Sequence, residues 1–409
     1  MSSGALRGVE TFEPVRLGPV DFDDLFDAIA LDSVDADRAE SVPWAAVRSL
    51  LDAGFGTVRL PVEVGGRGLT NTEFLSLVIA LGAANPSVAH LFLNHFLALS
   101  KIMRRRPKFH QRWIDLAVDG ALFSECAIEA DPNVTAGGGI TLTTLAEVGP
   151  GEYELSGTKA YATGSTVADV LFVSAMLKSV ETQSTTKVTV AVRRAAQGVE
   201  VVDDWDGFGQ RLSGSGTVRF DRVRISDTDI VFTAPDSEPY LAASPQLFMT
   251  AIVAGVTRAI RDDGATILRN RSRNFYHGTA PTPSDDPTLH VVMGQLVTDA
   301  FTAEAIALKA AESLDAVDSA DSAGARSEMR LEATVQCSMA KVAVDEVAQR
   351  AASTLFDLAG ASATSKGIAL DRHWRNIRTL ASHNPDVYKR RVVGEWFLLG
   401  TPPPRGGFF

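Results

Sequence analysis

The chain has 409 residues, 45% of them hydrophobic and 22% charged, an ordinary globular composition with length enough for two or three domains. Its formal charge of −11 gives no electrostatic support to nucleic-acid binding. The two cysteines, Cys126 and Cys337, lie far apart in unlike surroundings, and no zinc-type Cys or His spacing occurs, so neither a disulfide framework nor a structural metal is expected. No secretory signal and no run of roughly 18 apolar residues is read, so the expectation is a soluble cytoplasmic protein that spans no membrane.

Residues 1–20 are polar, with scattered Pro and Gly, and read as an arm. Helical spacing starts at Asp21, with Phe22, Leu25, Phe26 and Ile29 on one face. Pro43-Trp44 opens a second helix, with Ser41 as its expected cap and a stripe of Trp44, Val47, Leu50 and Leu51. A Gly-rich loop, Leu60 to Gly68, follows. Thr70 or Asn71 caps the next helix, which runs to about Asn85, and Ser87 to Arg105 forms a strongly apolar one. His90 and Asn94 are four apart and share a face of that helix. Either His90 is a buried histidine bonded to the backbone, or this face looks into a pocket. His95, one step round, is expected to pack or to meet another helix.

From about Ala121 to Phe232 the pattern changes to period two. Tyr153–Gly157, Val170–Val173, Lys187–Val192 and Thr217–Phe220 read as strands of a half-buried sheet. Two segments inside it have the make-up of a site: Gly157 through Tyr161 and Thr163 to Ser165, and Trp205 through Gln210 to Gly216. Helical spacing then returns at Leu247–Arg273, ending in Arg269, Arg271 and Arg273. Their alternate spacing keeps them off a single solvent face and leaves one to meet an anion. Helices at Leu289–Val317 and Ser327–Leu358 follow, and a break at Gly360-Ala361-Ser362. Leu370–Leu380 and Val387–Leu399 come last, either side of His383-Asn384-Pro385. The fold class expected is mainly α with a central β domain: an N-terminal helical domain (1–119), a small β-barrel or sandwich domain (120–235) and a C-terminal four-helix bundle (236–409).

That order resembles the acyl-CoA dehydrogenase superfamily of flavoproteins over nearly the whole chain. The matching residues are Lys159-Ala160-Tyr161-Ala162-Thr163-Gly164 followed by Ala168-Asp169, and Gly198-Val199 leading to Trp205 and the Gly214-Ser215-Gly216 turn. A dehydrogenase of this fold needs a carboxylate to remove a substrate proton. The resemblance places that Glu just after the stretch Arg372 to Leu380 or near Phe248 to Gly255, and neither segment supplies one. In its place stands His383-Asn384-Pro385-Asp386-Val387-Tyr388-Lys389, which resembles the monooxygenase branch, of the dibenzothiophene monooxygenase type. Gly207-Phe208-Gly209-Gln210-Arg211, Ser284-Asp285-Asp286-Pro287 and His90-Leu91-Phe92-Leu93-Asn94-His95 agree with it. The sulfur-oxidising type carries Tyr where this chain has Asn94, so the substrate need not be the same.

The resemblance implies a two-component enzyme. Reduced flavin from a separate reductase, FMN rather than FAD, would react with oxygen through a C4a-hydroperoxyflavin to oxygenate sulfur, nitrogen or an aromatic carbon. It implies Thr163 against the flavin N5, His383 titrating near working pH to keep the oxidant protonated, and His90 and Asn94 toward substrate. Trp205 would pack beside the flavin ring and Tyr161 at its edge. Arg273 of a neighbouring subunit would meet the phosphate, with Ser165, Ser215, Ala361 and Ser362 as further cofactor contacts, in a homotetramer. A dehydrogenase with its base elsewhere, and a non-catalytic flavin-binding member, are the alternatives. No Gly-x-Gly-x-x-Gly nicotinamide fingerprint occurs.

Overall fold

Apolar stripes and caps set the first helices. The computed structural model describes residues 22–104, 107–131, 141–178, 184–233 and 240–409; the expected N-terminal arm lies outside them. Helix α1 (Asp23–Ala39) buries Phe22, Phe26 and Ile29 as its spacing predicts. Helix α2 (Trp44–Asp52) begins at Pro43 with no side-chain cap, so Ser41 does not cap it, and Trp44 stays largely exposed. Helix α3 (Asn71–Ala84) starts at Thr70 with a reciprocal capping box to Glu73. Asn85 then accepts from the Ser87 and Val88 amides at 3.0 and 3.2 Å and starts helix α4 (Pro86–Arg104). Helix α5 (Pro107–Val118) closes the helical region.

Eight strands follow: β1 (Phe123–Cys126), β2 (Thr144–Gly149), β3 (Glu152–Lys159), β4 (Val170–Lys178), β5 (Thr185–Arg193), β6 (Val199–Val202), β7 (Thr217–Ser226) and β8 (Ile230–Thr233). The order is β6-β7-β3-β2-β4-β5-β8. Strands β1 and β2 both run parallel to β4, one pairing with Val170–Val173 and the other with Met176–Lys178. The sheet is not half-buried at its centre. On β4, Leu171, Val173 and Ala175 face a core inside the sheet, while Val170 and Phe172 meet Trp113 and Ile114 of α5. Covering both faces explains a continuous apolar run where a one-sided strand would alternate.

Helices α6 (Ala243–Asn270), α7 (Pro287–Asp318), α8 (Ala323–Thr354), α9 (Asp371–His383) and α10 (Asp386–Leu399) complete the described elements. Helix α6 ends before Arg271, so Arg273 lies in the following loop and not on the helix. Helices α3 and α6 cross closely because two glycines face each other's backbone. A Cβ on Gly255 would come within 2.2 Å of the Ile79 carbonyl, and one on Gly82 within 3.0 Å of Ile252 Cα. Helix α7 is long and apolar enough by length and composition to cross a membrane, contrary to the reading of the sequence; here its Leu296, Ala300, Ala303, Ala307 and Ala311 are buried in the bundle.

Candidate active site

The site forms where three parts of the chain meet: helix α4, the two loops flanking the β region, and the end of α9. On α4, His95 is a core residue. Its Nδ1 accepts from the Phe123 amide at 3.1 Å, so its Nε2 carries the proton and donates to the Gly56 carbonyl at 2.8 Å. That settles His95 as the packing residue its position suggested. His90 lies one turn earlier and points elsewhere. Its Nδ1 is 3.1 Å from Gln210 Oε1.

Gln210 is itself held. Its amide nitrogen atoms, backbone N at 2.7 Å and Nε2 at 3.3 Å, both donate to Asn376 Oδ1 on α9. Its φ of 53° is an uncommon value for a residue with a side chain. The preceding loop is clamped as well. Arg375 pairs with Asp37 at 2.7 Å and donates to the Phe208 carbonyl at 3.2 Å, Phe208 stacks on Trp374 at 5.7 Å, and a Cβ on Gly209 would strike the Arg375 carbonyl at 2.1 Å. These contacts hold the short Phe-Gly-Gln-Arg segment against α9, with Gln210 at His90 of α4.

The second loop carries Thr163. Its carbonyl accepts from Asn94 Nδ2 at 2.9 Å and from Ser124 Oγ at 2.8 Å. Its hydroxyl is 2.8 Å from Ser215 Oγ, which is 2.7 Å from Ser213 Oγ. Three hydroxyls therefore form a chain in which each can donate or accept. Asn94 is thus tied to the Thr163 backbone, which makes its amide group a support for the loop. Ser165, expected as a cofactor contact, is fully buried and donates to the Gly214 carbonyl at 3.4 Å, so its hydroxyl supports the turn from beneath.

Beside the hydroxyls lies an aromatic ledge. Tyr161 is 58% exposed at φ 54° and meets Trp205 edge to face at 6.3 Å, while Trp205 Nε1 donates to the Gly209 carbonyl at 3.2 Å. An exposed aromatic edge next to hydroxyl acceptors suits a planar heteroaromatic ring with an N–H. Close by, the Thr166 hydroxyl is buried with no hydrogen-bond partner, tucked where a Cβ on Gly214 would meet it at 2.1 Å. The donor set fits a flavin.

His383 ends α9, and its ring meets the Phe408 ring edge-on at 6.0 Å. Its side chain is partly accessible, and desolvation of the rest, with Lys341 nearby, lowers its pKa to about 4. His90 is lowered to about 4 too, by burial first and then by the charge of His383, against a smaller opposing effect of Gln210. The two imidazoles are close enough to sense each other and are neutral at neutral pH. The expectation that His383 titrates near working pH is corrected: in this setting it acts as a neutral donor or acceptor. Among the described residues, no Asp or Glu is hydrogen-bonded to His90, Asn94 or Thr163.

The partners of two residues of the His383–Lys389 segment escaped the sequence reading. Asn384 donates to Gln246 Oε1 at 3.2 Å and to the Phe408 carbonyl at 3.0 Å. Lys389 is buried, donates to that same carbonyl, and lies 3.7 Å from the centre of the Phe409 ring. Only the aromatic pair Phe408-Phe409 hinted at this contact. Arg273, Ala361 and Ser362 are not joined to Thr163 by any hydrogen bond among the described residues. They are exposed, and their segments meet each other instead: Arg271 donates to the Leu358 carbonyl at 2.6 Å, and Phe275 packs at Gly360.

Comparison with known proteins agrees with this architecture. The N-terminal, middle and C-terminal domains of acyl-CoA dehydrogenase match residues 27–114, 130–223 and 247–385. A probable FMNH2-dependent monooxygenase, SfnC of Pseudomonas putida, is 26% identical over 91% of this chain and 92% of its own length. Dibenzothiophene monooxygenase of Rhodococcus qingshengii is 25% identical over 91% of each chain. Among solved structures, TdsC from Paenibacillus sp. A11-2 with FMN and indole superposes with a TM-score of 0.86 at 26% identity, covering 95% of this chain and 98% of that one. Methanesulfinate monooxygenase MsuC from Pseudomonas fluorescens gives 0.84 at 26% identity, with the same coverage. With the three domain models matching 27–114, 130–223 and 247–385 and relatives of this kind over 91% or more of its length, the chain belongs to the acyl-CoA dehydrogenase superfamily, in its flavin-dependent monooxygenase branch.

Proposed function

We propose that the protein is an FMN-dependent monooxygenase that inserts one oxygen atom of O2 into a small organic substrate at sulfur, nitrogen or an aromatic carbon. Bound reduced FMN supplies the electrons and the site of oxygen activation. The chain's own groups do the rest. Thr163, relayed through Ser215 and Ser213, accepts the hydrogen bond of a ring N–H and so holds that proton in place. Gln210 fixes the proton of His90 on Nδ1, which leaves Nε2 as an acceptor for an O–H or N–H of the substrate. His383, neutral and set edge-on against Phe408, can donate through its N–H without adding a full charge. Tyr161 and Trp205 line the ring edge.

The observation that carries this reading is that, among the described residues, no Asp or Glu is hydrogen-bonded to His90, Asn94 or Thr163, so the site holds hydroxyls and an oriented imidazole without the carboxylate a dehydrogenase uses. The test mixes the protein with chemically reduced FMN, oxygen and a panel of thioethers, amines and indoles. Oxygenated product with stoichiometric flavin oxidation is expected. Anaerobic bleaching of bound oxidised flavin by an acyl-CoA, with no oxygenated product, would instead mark a dehydrogenase.

The reading includes a separate cytoplasmic flavin reductase as the source of FMNH2, and a homotetramer. Val291, Val297 and Phe301 on α7, and Phe397, Leu398 and Leu399 at the end of α10, present exposed apolar side chains suited to self-association. In that assembly the exposed Arg273 of a second copy would reach the FMN phosphate, with Ala361 and Ser362 contributing to the phosphate and ribose.

A further inference from the structure

Two buried lysines converge on the turn between α9 and α10 that carries His383. Lys389 of α10 grips the Phe408 carbonyl. Lys341 of α8 touches nothing in the site described so far. Its Nζ donates to Asp345 Oδ2 at 2.7 Å, one turn on along the same helix, and lies 3.5 Å from the Ala381 carbonyl. Ala381 stands two residues before His383, at the end of α9, where the last carbonyls lack a partner within the helix and the dipole is negative. The ammonium thus occupies the pole at which His383 would otherwise gather a proton.

The stability of α8 is a poor reason for Lys341 to be there. A buried ion pair regains little more than its desolvation cost, and a base four residues before an acid is the less favourable order in a helix. Asp345 is also an incomplete partner. Its Oδ1 is buried with no hydrogen bond, and burial pushes its carboxyl above the ordinary range, against Lys341 and with a smaller push from Asp386.

The other charged and titratable groups around this turn are accounted for. On α8, Cys337 is neutral, its thiol pushed up to about 12 chiefly by burial. On α9, Arg378 donates to Gln349 at 2.9 Å. On α10, Asp386 accepts from Arg390 at 2.9 Å. From α4, His90 is neutral at neutral pH. Part of the His383 side chain is accessible, so desolvation is not the whole cause of its state, and the charge that acts on it besides is that of Lys341.

We propose that Lys341 is a positioning residue of the active site: seated by Asp345 at the negative end of α9, its ammonium opposes a second positive charge on His383 and so keeps that ring a neutral N–H donor toward the substrate. The use of that donor rests on the monooxygenase reading; the coupling between the two side chains does not.

The coupling is measured without turnover. The FMN-loaded protein is treated with diethyl pyrocarbonate at intervals from pH 4 to 8, and carbethoxylation of His383 is followed by peptide mass spectrometry. The neutral imidazole is the form that reacts, so the midpoint of the rate reports its proton, with the exposed His277 as reference. Lys341→Met is expected to raise the His383 midpoint by about one pH unit and leave His277 where it is. Lys341→Arg keeps the charge and is expected to keep the midpoint. If the Met variant does not fold, because Asp345 is left unpaired, Lys341→Met with Asp345→Leu is expected to give the same rise. An unchanged His383 midpoint in the folded variant overturns the proposal. So does an equal rise in Lys341→Arg, which would mark packing and not charge, or an equal shift of His277. In turnover, product per flavin oxidised is expected to fall on acidification about one pH unit sooner in Lys341→Met than in the parent protein. A raised midpoint in a protein that yields no oxygenated product with any panel substrate sinks the monooxygenase reading and leaves the action of Lys341 on His383 standing.

Discussion

The 3.1 Å approach of His90 Nδ1 to Gln210 Oε1 fixes a tautomer. Gln210 Nε2 is spent on Asn376 Oδ1, so the atom facing His90 is the carbonyl oxygen, an acceptor, and His90 must carry its proton on Nδ1. Residues 120 apart in sequence thereby decide which nitrogen of the imidazole is free. Gln210→Leu releases that choice. It is expected to lower product per flavin oxidised several-fold while FMN affinity changes by less than about threefold, a few tenths of a kcal/mol. Product and hydrogen peroxide measured together check it. Unchanged coupling would remove Gln210 from the reaction.

Thr163→Val removes the first member of the hydroxyl chain at nearly constant volume. Ser215 loses a partner but keeps Ser213, so little stability is lost, about 1 kcal/mol. Peroxide release should rise and product fall, and Thr163→Ser should restore most of the coupling. If Val and Ser variants couple equally well, the hydroxyl has no part in holding the proton.

Acid should destabilise the protein in a defined window. His90 and His95 are both lowered to about 4, each chiefly by burial. The unfolded chain binds those protons near pH 6.5 and the native state only near 4, so between these values the unfolded state holds more protons. Stability is therefore full above about pH 6.5 and falls as pH drops toward 4. His95, fully buried, contributes on the order of 3 kcal/mol of this. Urea unfolding at intervals from pH 7 to 4 measures the slope, and a flat profile would contradict the neutral state assigned to these rings.

Lys159 and Glu129 form a buried pair 2.6 Å apart, and Glu129 also accepts from the Leu142 and Thr143 amides. Glu129→Gln leaves an uncompensated ammonium two residues from Tyr161. A loss of about 3–5 kcal/mol is expected, because a buried charge without its partner is costly. Replacing both, as Lys159→Met with Glu129→Leu, should recover part of it. Chemical denaturation separates the cases; a loss below about 1 kcal/mol, the range of exposed pairs, would show that water reaches Lys159.

Phe408 packs edge-on against the His383 ring, and Lys389 with Asn384 pins its carbonyl. Phe408→Ala is expected to raise peroxide release by freeing the His383 ring to change rotamer, with Phe408→Leu largely neutral. Equal peroxide yields in all three proteins would show that Phe408 does not position His383.

Much of the architecture was legible because it is local. The stripe Phe22, Phe26, Ile29, the Thr70–Glu73 capping box, the alternation of β3, β5 and β7, and the break at Asn384-Pro385 each announce themselves within a few residues. Strands β1, β2, β6 and β8 were missed: three are only four residues long, β2 only six, too short for a period to show. Strand β4 was seen as a run, but its burial on both faces depends on α5 lying against it. His90, Asn94, Thr163, Trp205 and His383 were picked out from their motifs, whereas the pairings between them and other segments were not. Gln210 against His90, Asn94 against the Thr163 carbonyl, Phe408 against His383, and the burial of Ser165 all join segments tens to hundreds of residues apart.

What the sequence by itself determined is the set of elements and the kinds of side chain available for chemistry, since helix and strand periods, caps and turn residues act within one or two turns of chain. What only the tertiary structure decided is the state of those side chains. A tautomer, a pKa near 4 and the line between a contact residue and a buried support depend on desolvation and on hydrogen bonds between distant segments, which have no expression in local order until the chain is packed.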